Sequence, residues 1–285
     1  MYYKYMKIAL VLQGGGARGI FTTAILDALL DTNIKIDKVF AVSAGGLNAM
    51  NFLSEQKGRS RTATLLTFKS KEFKSISNVI KKRTFVDFDY YFNTLDKELP
   101  FDYEKFYKTK TDLCVVATSL SSGKASYFNK NDLENFNDAI KASASIPFVT
   151  KPVEINGDLY LDGGDSDPIP FKKAIDEGYD KVIVVTTRPK GFRKNPTISK
   201  QKNRLIKLSF RNYPNFIHAL QESHINYNRC MDELEVGNDR VFLLQPTEDI
   251  KLKHLETNKD KLDYYYNLGT KVFNENKENL IKFLN

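Results

Sequence analysis

The sequence predicts an α/β protein of the three-layer α/β/α type, in which a mostly parallel central sheet lies between two layers of helices. Ile8–Leu12 is a continuous apolar run, which suits a strand that is buried on both faces, as in a parallel sheet. A helical pattern follows it, then a second strand at Lys38–Val42 and a second helical pattern from Ala44 onward. Strand, helix, strand and helix in this order indicate a βαβ unit.

Length and charge limit the classes of protein that need to be considered. The 285 residues allow one large domain, and 43 Lys and Arg against 35 Asp and Glu give a formal net charge of +8. The basic residues are spread along the chain and are densest in 69–82 and 190–207. They suit a solvated face or transient contact with an anionic membrane surface. Nucleic acid is not expected as a partner, because no recognised binding motif accompanies the charge.

Cysteine usage and hydropathy predict a cytoplasmic protein that is at most peripheral to a membrane. Cys114 and Cys230 are the only cysteines, and they form neither a disulfide framework nor a metal-binding spacing. Cys114 lies in an apolar run and is expected in the core. The apolar run near the N-terminus is too short for a signal-peptide core, and no apolar stretch is long enough to span a bilayer. No metal or cofactor is predicted.

The second predicted strand ends at Ser43, and the next helix follows without a loop. The neighbouring Ala41, Ala44 and Gly45 have almost no side chain, as a tight strand-to-helix turn requires. This pattern is typical of a nucleophile elbow, G-x-S-x-G, with Ala41 in place of the first glycine. The alternative is an ordinary junction in which Ser43 caps the helix, because Ser is a preferred N-cap residue in any fold.

A glycine-rich run at 14–19 follows the first strand and allows three interpretations. Gly14, Gly16 and Gly19 match the dinucleotide fingerprint G-x-G-x-x-G, but the expected acidic residue at the end of the second strand is absent. A P-loop would need Gly-Lys-Ser/Thr, which is also absent. The third interpretation is an oxyanion hole, formed by backbone N–H groups at a helix N-terminus.

The oxyanion-hole interpretation explains both loops together. Adjacent strands of a parallel sheet end on the same edge, so the glycine run and the Ser43 turn are expected to meet there. Arg18 either braces the loop and adds positive potential or faces solvent at the start of the helix.

Later segments contribute a second candidate group. A helix predicted at 132–142 ends in small residues and a proline at 142–147, which indicates a close-approach loop. A hairpin at 154–161 with an Asn-Gly turn then leads to Asp162 and two glycines. Asp165 and Asp167 lie just beyond it, where turn formation and capping are sufficient reasons for Asp.

The remaining segments predict helices, strands and one loop. The aromatic-rich stretches 87–92 and 101–107 are expected to pack in the core rather than to form amphipathic helices over the mouth of a site. Further strands are predicted at 181–187 and 240–244, a mobile basic loop at 188–207, and a terminal helical region at 262–284 that is broken near Gly269.

Four motifs in this order resemble the patatin-like phospholipase family: G-G-G-x-R-G after the first strand, the serine elbow, A-S-x-S-I-P, and D-G-G. The resemblance covers 7–170 as a catalytic core, with 171–285 completing the same domain, and the compact size is more like that of the small bacterial members. It implies a patatin-like fold and a Ser–Asp dyad without histidine. The implied nucleophile is Ser43, the base Asp162, the oxyanion donors Gly14, Gly15, Gly16 and Ala44, and the supporting residues Arg18, Gly19, Gly45, Gly163 and Gly164.

The resemblance implies a serine hydrolase of acyl lipids, with phospholipids, lysophospholipids or neutral acyl lipids as substrates. A serine hydroxyl needs an adjacent base, and desolvation in a pocket raises the pKa of a carboxylate and makes it a better one. Three alternatives remain open. They are a Ser–Asp–His triad that uses His218, His224 or His254, a catalytically silent lipid-binding protein of the same fold, and a nucleotide-binding protein.

Overall fold

A computed structural model describes residues 6–75, 84–195 and 198–285, and within them the chain forms an eight-stranded mixed sheet. The strand order is β5-β6-β3-β2-β1-β7-β8, with β4 paired to β3. The central strands β3, β2, β1, β7 and β8 are parallel, and β4, β5 and β6 are antiparallel. The strands are β1 (Ile8–Leu12), β2 (Lys38–Val42), β3 (Asp112–Ser119), β4 (Ala125–Asn129), β5 (Val153–Ile155), β6 (Asp158–Asp162), β7 (Lys181–Val185) and β8 (Val241–Leu244).

Helices connect these strands and cover both faces of the sheet. None of those in the described residues is long and apolar enough to cross a membrane. They are α1 (Gly19–Leu30), α2 (Ala44–Leu53), α3 (Arg59–Lys69), α4 (Leu95–Glu98), α5 (Tyr103–Lys108), α6 (Phe136–Ala144), α7 (Phe171–Asp176), α8 (Lys200–Ser209), α9 (Pro214–Val236) and α10 (Lys259–Phe283).

Alternate side chains of the central strands enter two separate cores, which confirms the three-layer prediction. Leu10 and Leu12 pack on one face with side chains from α1, α2, α6 and α10. Ala9 and Val11 pack on the other face with side chains from α7 and α9, and the predicted core residue Cys114 lies there too. Since successive side chains of a strand point to opposite faces, only a strand covered on both sides is apolar throughout.

The parallel register brings the first two loops together at one edge of the sheet. Leu12 of β1 pairs with Ala41 of β2, so both strands end at the same level. The glycine run and Ser43 therefore emerge side by side, as the sequence predicts. The predicted hairpin also forms, with its turn at Asn156 and Gly157, both of which have positive φ angles (52° and 82°) suited to a two-residue hairpin turn.

The prediction of a loop throughout 188–207 is wrong, because α8 occupies Lys200–Ser209. The Ser199 side chain caps this helix by accepting a hydrogen bond from the Lys202 N–H at 3.2 Å. Ile206 is buried, and Phe210, one turn further on, packs edge-to-face against Phe216 of α9 with ring centroids 4.8 Å apart. The high density of charge concealed this apolar stripe. The other basic stretch, 69–82, lies outside the described residues from 76 onward.

One helix begins later than predicted, and the two aromatic-rich stretches are buried only in part. The helix expected at 132–142 begins at Phe136, since the Asn135 side chain caps it by accepting from the Asn137 N–H at 3.2 Å. Core packing is confirmed for most of the aromatic stretch 87–92, where Tyr90, Tyr91 and Phe92 are buried. In 101–107, Phe106 is buried and Tyr107 is exposed.

The predicted break near Gly269 is also wrong, because α10 is continuous through it. Gly269 lies where α10 crosses α1. A Cβ atom there would lie 2.6 Å from the Phe21 carbonyl oxygen and 2.8 Å from the Ala24 Cβ. The glycine is therefore explained by close helix packing, not by a helix end.

We predict that Gly269→Ala lowers stability by about 1–3 kcal/mol, because the added methyl group forces two packed helices apart. The loss opposes a gain of up to about 1 kcal/mol in helix propensity. Asn267→Ala, at an exposed position of the same helix, is the matched control and should change stability little. Urea unfolding followed by circular dichroism measures both, and equal midpoints for the two variants would contradict the packing explanation.

Candidate active site

Ser43 sits at a strained turn between β2 and α2. Its backbone angles are φ 55° and ψ −126°, a region that side-chain-bearing residues rarely adopt. Such strain persists only where the surrounding structure enforces it, and it is concentrated at functional sites. The prediction of an elbow thus agrees with the backbone geometry, and the Ser43 side chain makes no capping hydrogen bond to the first turn of α2, contrary to the N-cap alternative.

Close packing and one hydrogen bond hold this turn. The Ser43 N–H donates to the Ser143 Oγ at 2.8 Å. A Cβ on Gly14 would lie 2.7 Å from the Ser43 Cβ, and a Cβ on Gly45 would lie 2.7 Å from the Leu12 carbonyl oxygen. The turn forms although Ala41 stands in place of the first glycine. The Ala41 methyl group is fully buried and packs in the core beneath the turn, so the core accommodates it.

Asp162 ends β6, two strands away from Ser43, and is fixed by its backbone. Its N–H donates to the Ser145 carbonyl at 2.8 Å, and its own carbonyl accepts from the Thr118 hydroxyl at 2.7 Å. Ser143 and Ser145 thus connect the serine turn to the aspartate strand. Sequence reasoning identified their segment as a close-approach loop but missed these two hydrogen bonds, which only the tertiary structure creates.

The environment of Asp162 favours a basic carboxylate. Burial of the carboxyl group raises its pKa above the ordinary value, while the nearby Ser43 hydroxyl and the Gly164 N–H lower it in part. The Gly164 N–H lies 2.8 Å from the Asp162 Oδ1. Gly163 allows this turn to pack on β3, because a Cβ there would lie 2.2 Å from the Val116 carbonyl oxygen.

Backbone N–H groups free to receive an anion surround the serine turn. Among the described residues, no hydrogen-bond acceptor is found for the N–H groups of Gly14, Gly15, Gly16 or Ala44. The loop that carries the three glycine donors is braced from β7, whose end supplies Thr187. The Thr187 hydroxyl donates to the Gly14 carbonyl at 2.8 Å. These donors suit an oxyanion hole better than a dinucleotide site.

Arg18 and Gly19 complete the glycine run. Gly19 lies against α2, where a Cβ would meet the Ala44 Cβ at 3.2 Å. Arg18 is only 8% exposed and donates from Nη1 to the Leu252 carbonyl at 3.3 Å, while its Nε has no partner. Burial and the nearby Arg188 lower the pKa of Arg18 to about 10, so it keeps its charge at neutral pH. The burial of Arg18 contradicts the interpretation in which it faces solvent at the start of the helix.

Ser43 lies between two cavities of different polarity. The first has a volume of about 70 Å³, and its lining is largely apolar. Phe88 and Tyr91, from an aromatic stretch that the sequence predicts to pack in the core, contribute to it. Its other large apolar side chains are Leu47, Phe68, Phe73, Val86, Ile146, Val149 and Leu255.

The second cavity is polar and has a volume of about 160 Å³. Ser43 and Asp162 line it together with Arg18, Lys194 and Asp165. Burial and the Asp162 charge raise the pKa of Asp165 to about 7, and one of its carboxyl oxygens has no partner. Sequence reasoning assigned Asp165 to a turn and missed Lys194 as a lining residue.

Asn228 holds Lys194 in this position. Its side-chain oxygen accepts from the Lys194 N–H at 2.7 Å, and its amide group donates to the Lys194 carbonyl at 3.0 Å. The Lys194 Nζ lies 4.9 Å from the centre of the Tyr227 ring. No carboxylate of the described residues forms an ion pair with Lys194 or with Arg18 within 4.0 Å. The cavity thus holds two cations that lack ion-pair partners.

Of the three histidines, only His254 lies at the site. His218 and His224 are on α9, and His218 lies 3.5 Å from Glu222 on the surface. The His254 carbonyl accepts from the Ala17 N–H at 2.8 Å, and its side chain lines the polar cavity. Desolvation and neighbouring cations lower the pKa of His254 to about 4. No group of three or more His, Cys, Asp or Glu in the described ranges could hold a metal ion.

Acyl transfer through a serine needs a base for the hydroxyl and N–H donors for the oxyanion, and both surround Ser43. The fold and this arrangement are typical of serine acyl hydrolases. A family model described as patatin-like phospholipase matches residues 10–175, more than half of the chain. The chain belongs to this family and is an enzyme of the lipid acyl hydrolase class. A second model, a domain of unknown function (DUF6363), matches residues 213–285.

Individual known proteins are similar to this chain over different shares of its length. The Escherichia coli protein YjjU is 27% identical over 92% of this chain and 75% of its own length. An NTE family protein of Mycobacterium bovis is 29% identical over 63% of this chain, which spans about half (49%) of that protein. Neuropathy target esterase sws of Drosophila persimilis is 31% identical over 54% of this chain and 8% of its own. The crystal structure of VipD from Legionella pneumophila aligns with a TM-score of 0.47 at 12% identity, covering 95% of this chain and 66% of that one.

We predict that Ser143→Ala destabilises the serine turn, because the buried Ser43 N–H then loses its acceptor. Leaving such a group unsatisfied costs about 1–3 kcal/mol. Ser145→Ala is the control, since Ser145 acts on Asp162 through its backbone carbonyl, which alanine retains. Esterase assays and thermal unfolding compare the two variants. Equal activity losses would show that the Ser143 hydroxyl has no special role.

Proposed function

We propose that this enzyme hydrolyses acyl esters of lipids with a dyad of Ser43 and Asp162. The observation that carries the proposal is that Asp162 and a serine held at a strained turn line the same cavity, where the Ser43 hydroxyl lowers the pKa of the Asp162 carboxyl group. Asp162 accepts the hydroxyl proton while the Ser43 oxygen attacks the ester carbonyl. The N–H groups of Gly14, Gly15, Gly16 and Ala44 are the proposed donors to the resulting oxyanion. One such donor typically lowers the barrier by about 3 kcal/mol.

The proposed reaction then proceeds in two halves. The tetrahedral intermediate collapses to an acyl-serine, and Asp162 returns its proton to the departing alcohol. Asp162 next takes a proton from a water molecule, which attacks the acyl-serine, and returns that proton to the Ser43 oxygen as the fatty acid is released. The same carboxyl group thus serves as base and acid in each half, as microscopic reversibility requires.

Two facts favour the dyad over a triad that includes His254. The Ser43 hydroxyl affects the pKa of Asp162, whereas the His254 side chain does not. Its pKa of about 4 also makes the imidazole a weak base at neutral pH. We assign His254 a supporting role through its carbonyl, which holds the glycine loop.

The two cavities suggest the class of substrate. The apolar cavity suits an acyl chain. Asp162 and Asp165 also line the polar cavity, but neither forms an ion pair with Arg18 or Lys194 within 4.0 Å. Arg18 is buried, and a buried cation without an ion-pair partner is costly, so an anion bound there would offset that cost. We therefore favour phospholipids and lysophospholipids over neutral acyl lipids, with the phosphate next to Lys194.

We also infer that 171–285 completes the catalytic domain formed with 7–170. Strand β8 pairs with β7, and α10 packs on α1. Thr187 and His254 both hydrogen-bond the glycine loop.

Three expectations from the sequence remain predictions. They are contact with an anionic membrane, a cytoplasmic location and similarity to the small bacterial members of the family. The alternative of a catalytically silent lipid-binding protein is decided by the first experiment below.

We predict that a fluorophosphonate probe labels the wild-type protein at Ser43 and that Ser43→Ala abolishes the label.

Asp162→Asn should lower kcat/KM by about 10³-fold or more, as removal of a catalytic base does in other serine hydrolases. Because only ionised Asp162 can accept a proton and burial raises its pKa, activity should increase with pH through a pKa above the ordinary value of about 4. A protein that folds but never reacts with the probe would be a silent binder.

His254→Gln tests the triad in the same assays. The dyad predicts a change of only a few-fold, because glutamine keeps the backbone carbonyl that binds the glycine loop. A collapse comparable to that of Asp162→Asn, with unchanged thermal unfolding, would establish a triad.

We predict that Lys194→Met lowers kcat/KM about 10–100-fold for a lysophospholipid but only slightly for a monoacylglycerol of the same chain length. A charge-assisted hydrogen bond contributes about 1.5–3 kcal/mol, which corresponds to this range. Lys190→Met, at an exposed position in the same segment, is the matched control. Equal losses on both substrates would mean that Lys194 acts on Asp162 and not on the head group.

A further inference from the structure

Helix α8 presents two leucines to solvent on the side away from the protein. Its inward side is anchored by Ile206, which is 1% exposed. Leu205 and Leu208 are 49% and 67% exposed. Residues three apart are neighbours on a helix surface, so the two side chains form one apolar patch. Exposed single leucines are ordinary, but this pair lies in an unusual charge environment.

Five exposed cations surround the two leucines, and no acidic residue occurs between Lys200 and Arg211. None of the five forms an ion pair with a carboxylate of the described residues within 4.0 Å. At 3.6 residues per turn, Lys202 lies on one side of the leucine pair and the other four on the opposite side. The cations are Lys200, Lys202, Arg204, Lys207 and Arg211.

Phe148 connects this helix to the candidate active site. It is 45% exposed, and its φ angle of 68° is an outlier for a bulky residue. Its ring packs edge-to-face against Phe210, at the end of α8, with centroids 5.4 Å apart. The two preceding residues, Ile146 and Pro147, line the polar cavity that contains Ser43. An exposed aromatic side chain thus lies between α8 and the lining of that cavity.

We propose that the outer face of α8, together with Phe148, is a docking surface for an anionic lipid bilayer. The helix lies in the plane of the membrane interface, with Leu205, Leu208 and Phe148 among the upper parts of the acyl chains. The cations on both sides contact anionic head groups. This placement orients the cavity entrance toward the membrane, and it deepens the proposed function by stating how lipid reaches Ser43.

The pattern of residues favours a bilayer over the two other partners that a basic surface could bind. An amphipathic helix with basic residues beside an apolar stripe is typical of interfacial membrane helices. Nucleic acid would use the cations but has no use for aliphatic side chains at the centre of the surface. A second copy of this chain would bring its own five cations to the interface, and like charges repel.

The test uses the full chain and sedimentation with phosphatidylcholine vesicles that contain or lack phosphatidylglycerol. Wild type should bind the anionic vesicles, and added salt should weaken the binding because it screens the charges. Leu205→Ser with Leu208→Ser should lower the partition coefficient at least about tenfold, since apolar burial is lost. Ile225→Ser with Val236→Ser, two exposed apolar residues of α9, is the matched control and should bind within about twofold of wild type.

A second pair of variants separates local charge from net charge. Lys200→Glu with Lys207→Glu should lower binding at least about tenfold, since each basic residue near an anionic surface contributes to it. Lys277→Glu with Lys282→Glu, both exposed on α10, changes the net charge equally and should have a much smaller effect. Equal losses in the two pairs would overturn the assignment of the surface to α8.

Other outcomes overturn the proposal without affecting the proposed reaction. Unchanged vesicle binding by the leucine variant would exclude insertion, and binding to RNA or DNA that depends on the cations alone would favour nucleic acid. A wild-type dimer that the leucine variant converts to a monomer in sedimentation velocity would favour a second copy. Ser43→Ala should bind vesicles as wild type does, and the leucine variant should hydrolyse a soluble short-chain ester normally. Vesicle binding without any ester hydrolysis would refute the proposed reaction and leave the docking surface intact.

Discussion

The backbone strain at Ser43 is the constraint on which the rest of the site depends. A serine at φ 55° is unfavourable in isolation, so the surrounding structure has to hold it there. The fold does so by leaving no room for a side chain on Gly14 or Gly45 and by binding the Ser43 N–H to the Ser143 hydroxyl. The same close packing sets the glycine run, which precedes α1, against the start of α2, where Gly14 lies against Ser43 and Gly19 against Ala44.

The site is assembled from distant parts of the chain, and the later half contributes more than its sequence suggests. Thr187 and His254 hold the glycine loop through hydrogen bonds to Gly14 and Ala17. The Tyr265 hydroxyl in turn donates to the Thr187 carbonyl at 3.0 Å, which connects α10 to the loop. Loss of the C-terminal helices would therefore remove the support of the proposed oxyanion hole as well as one layer of the core.

The parts of the structure that could be predicted are those with a local signal. The buried strands are apolar runs, and the turn at Ser43 needs small residues next to it in sequence. By contrast, Lys194 reaches the polar cavity only because Asn228, 34 residues later, binds both of its backbone groups. Helix α8 was obscured by its charge, and Gly269 indicated a helix end when its role is contact with α1. In each of these cases the decisive partner is distant in sequence, so no local pattern records it.

The two cavities beside Ser43 differ in polarity, and this difference determines the orientation in which a substrate would bind. Apolar side chains enclose one cavity beside the serine, while Arg18 and Lys194 line the other. An ester that has an apolar chain on one side of its carbonyl and an anionic group on the other would bind in only one orientation. Its chain would lie in the apolar cavity and its anionic group in the polar cavity. Phe148 follows two residues that line the polar cavity, and its ring packs against Phe210 at the end of α8. The proposed docking surface is therefore connected through this segment to the cavity that we propose for the head group, and a lipid that leaves the bilayer would reach Ser43 through that cavity.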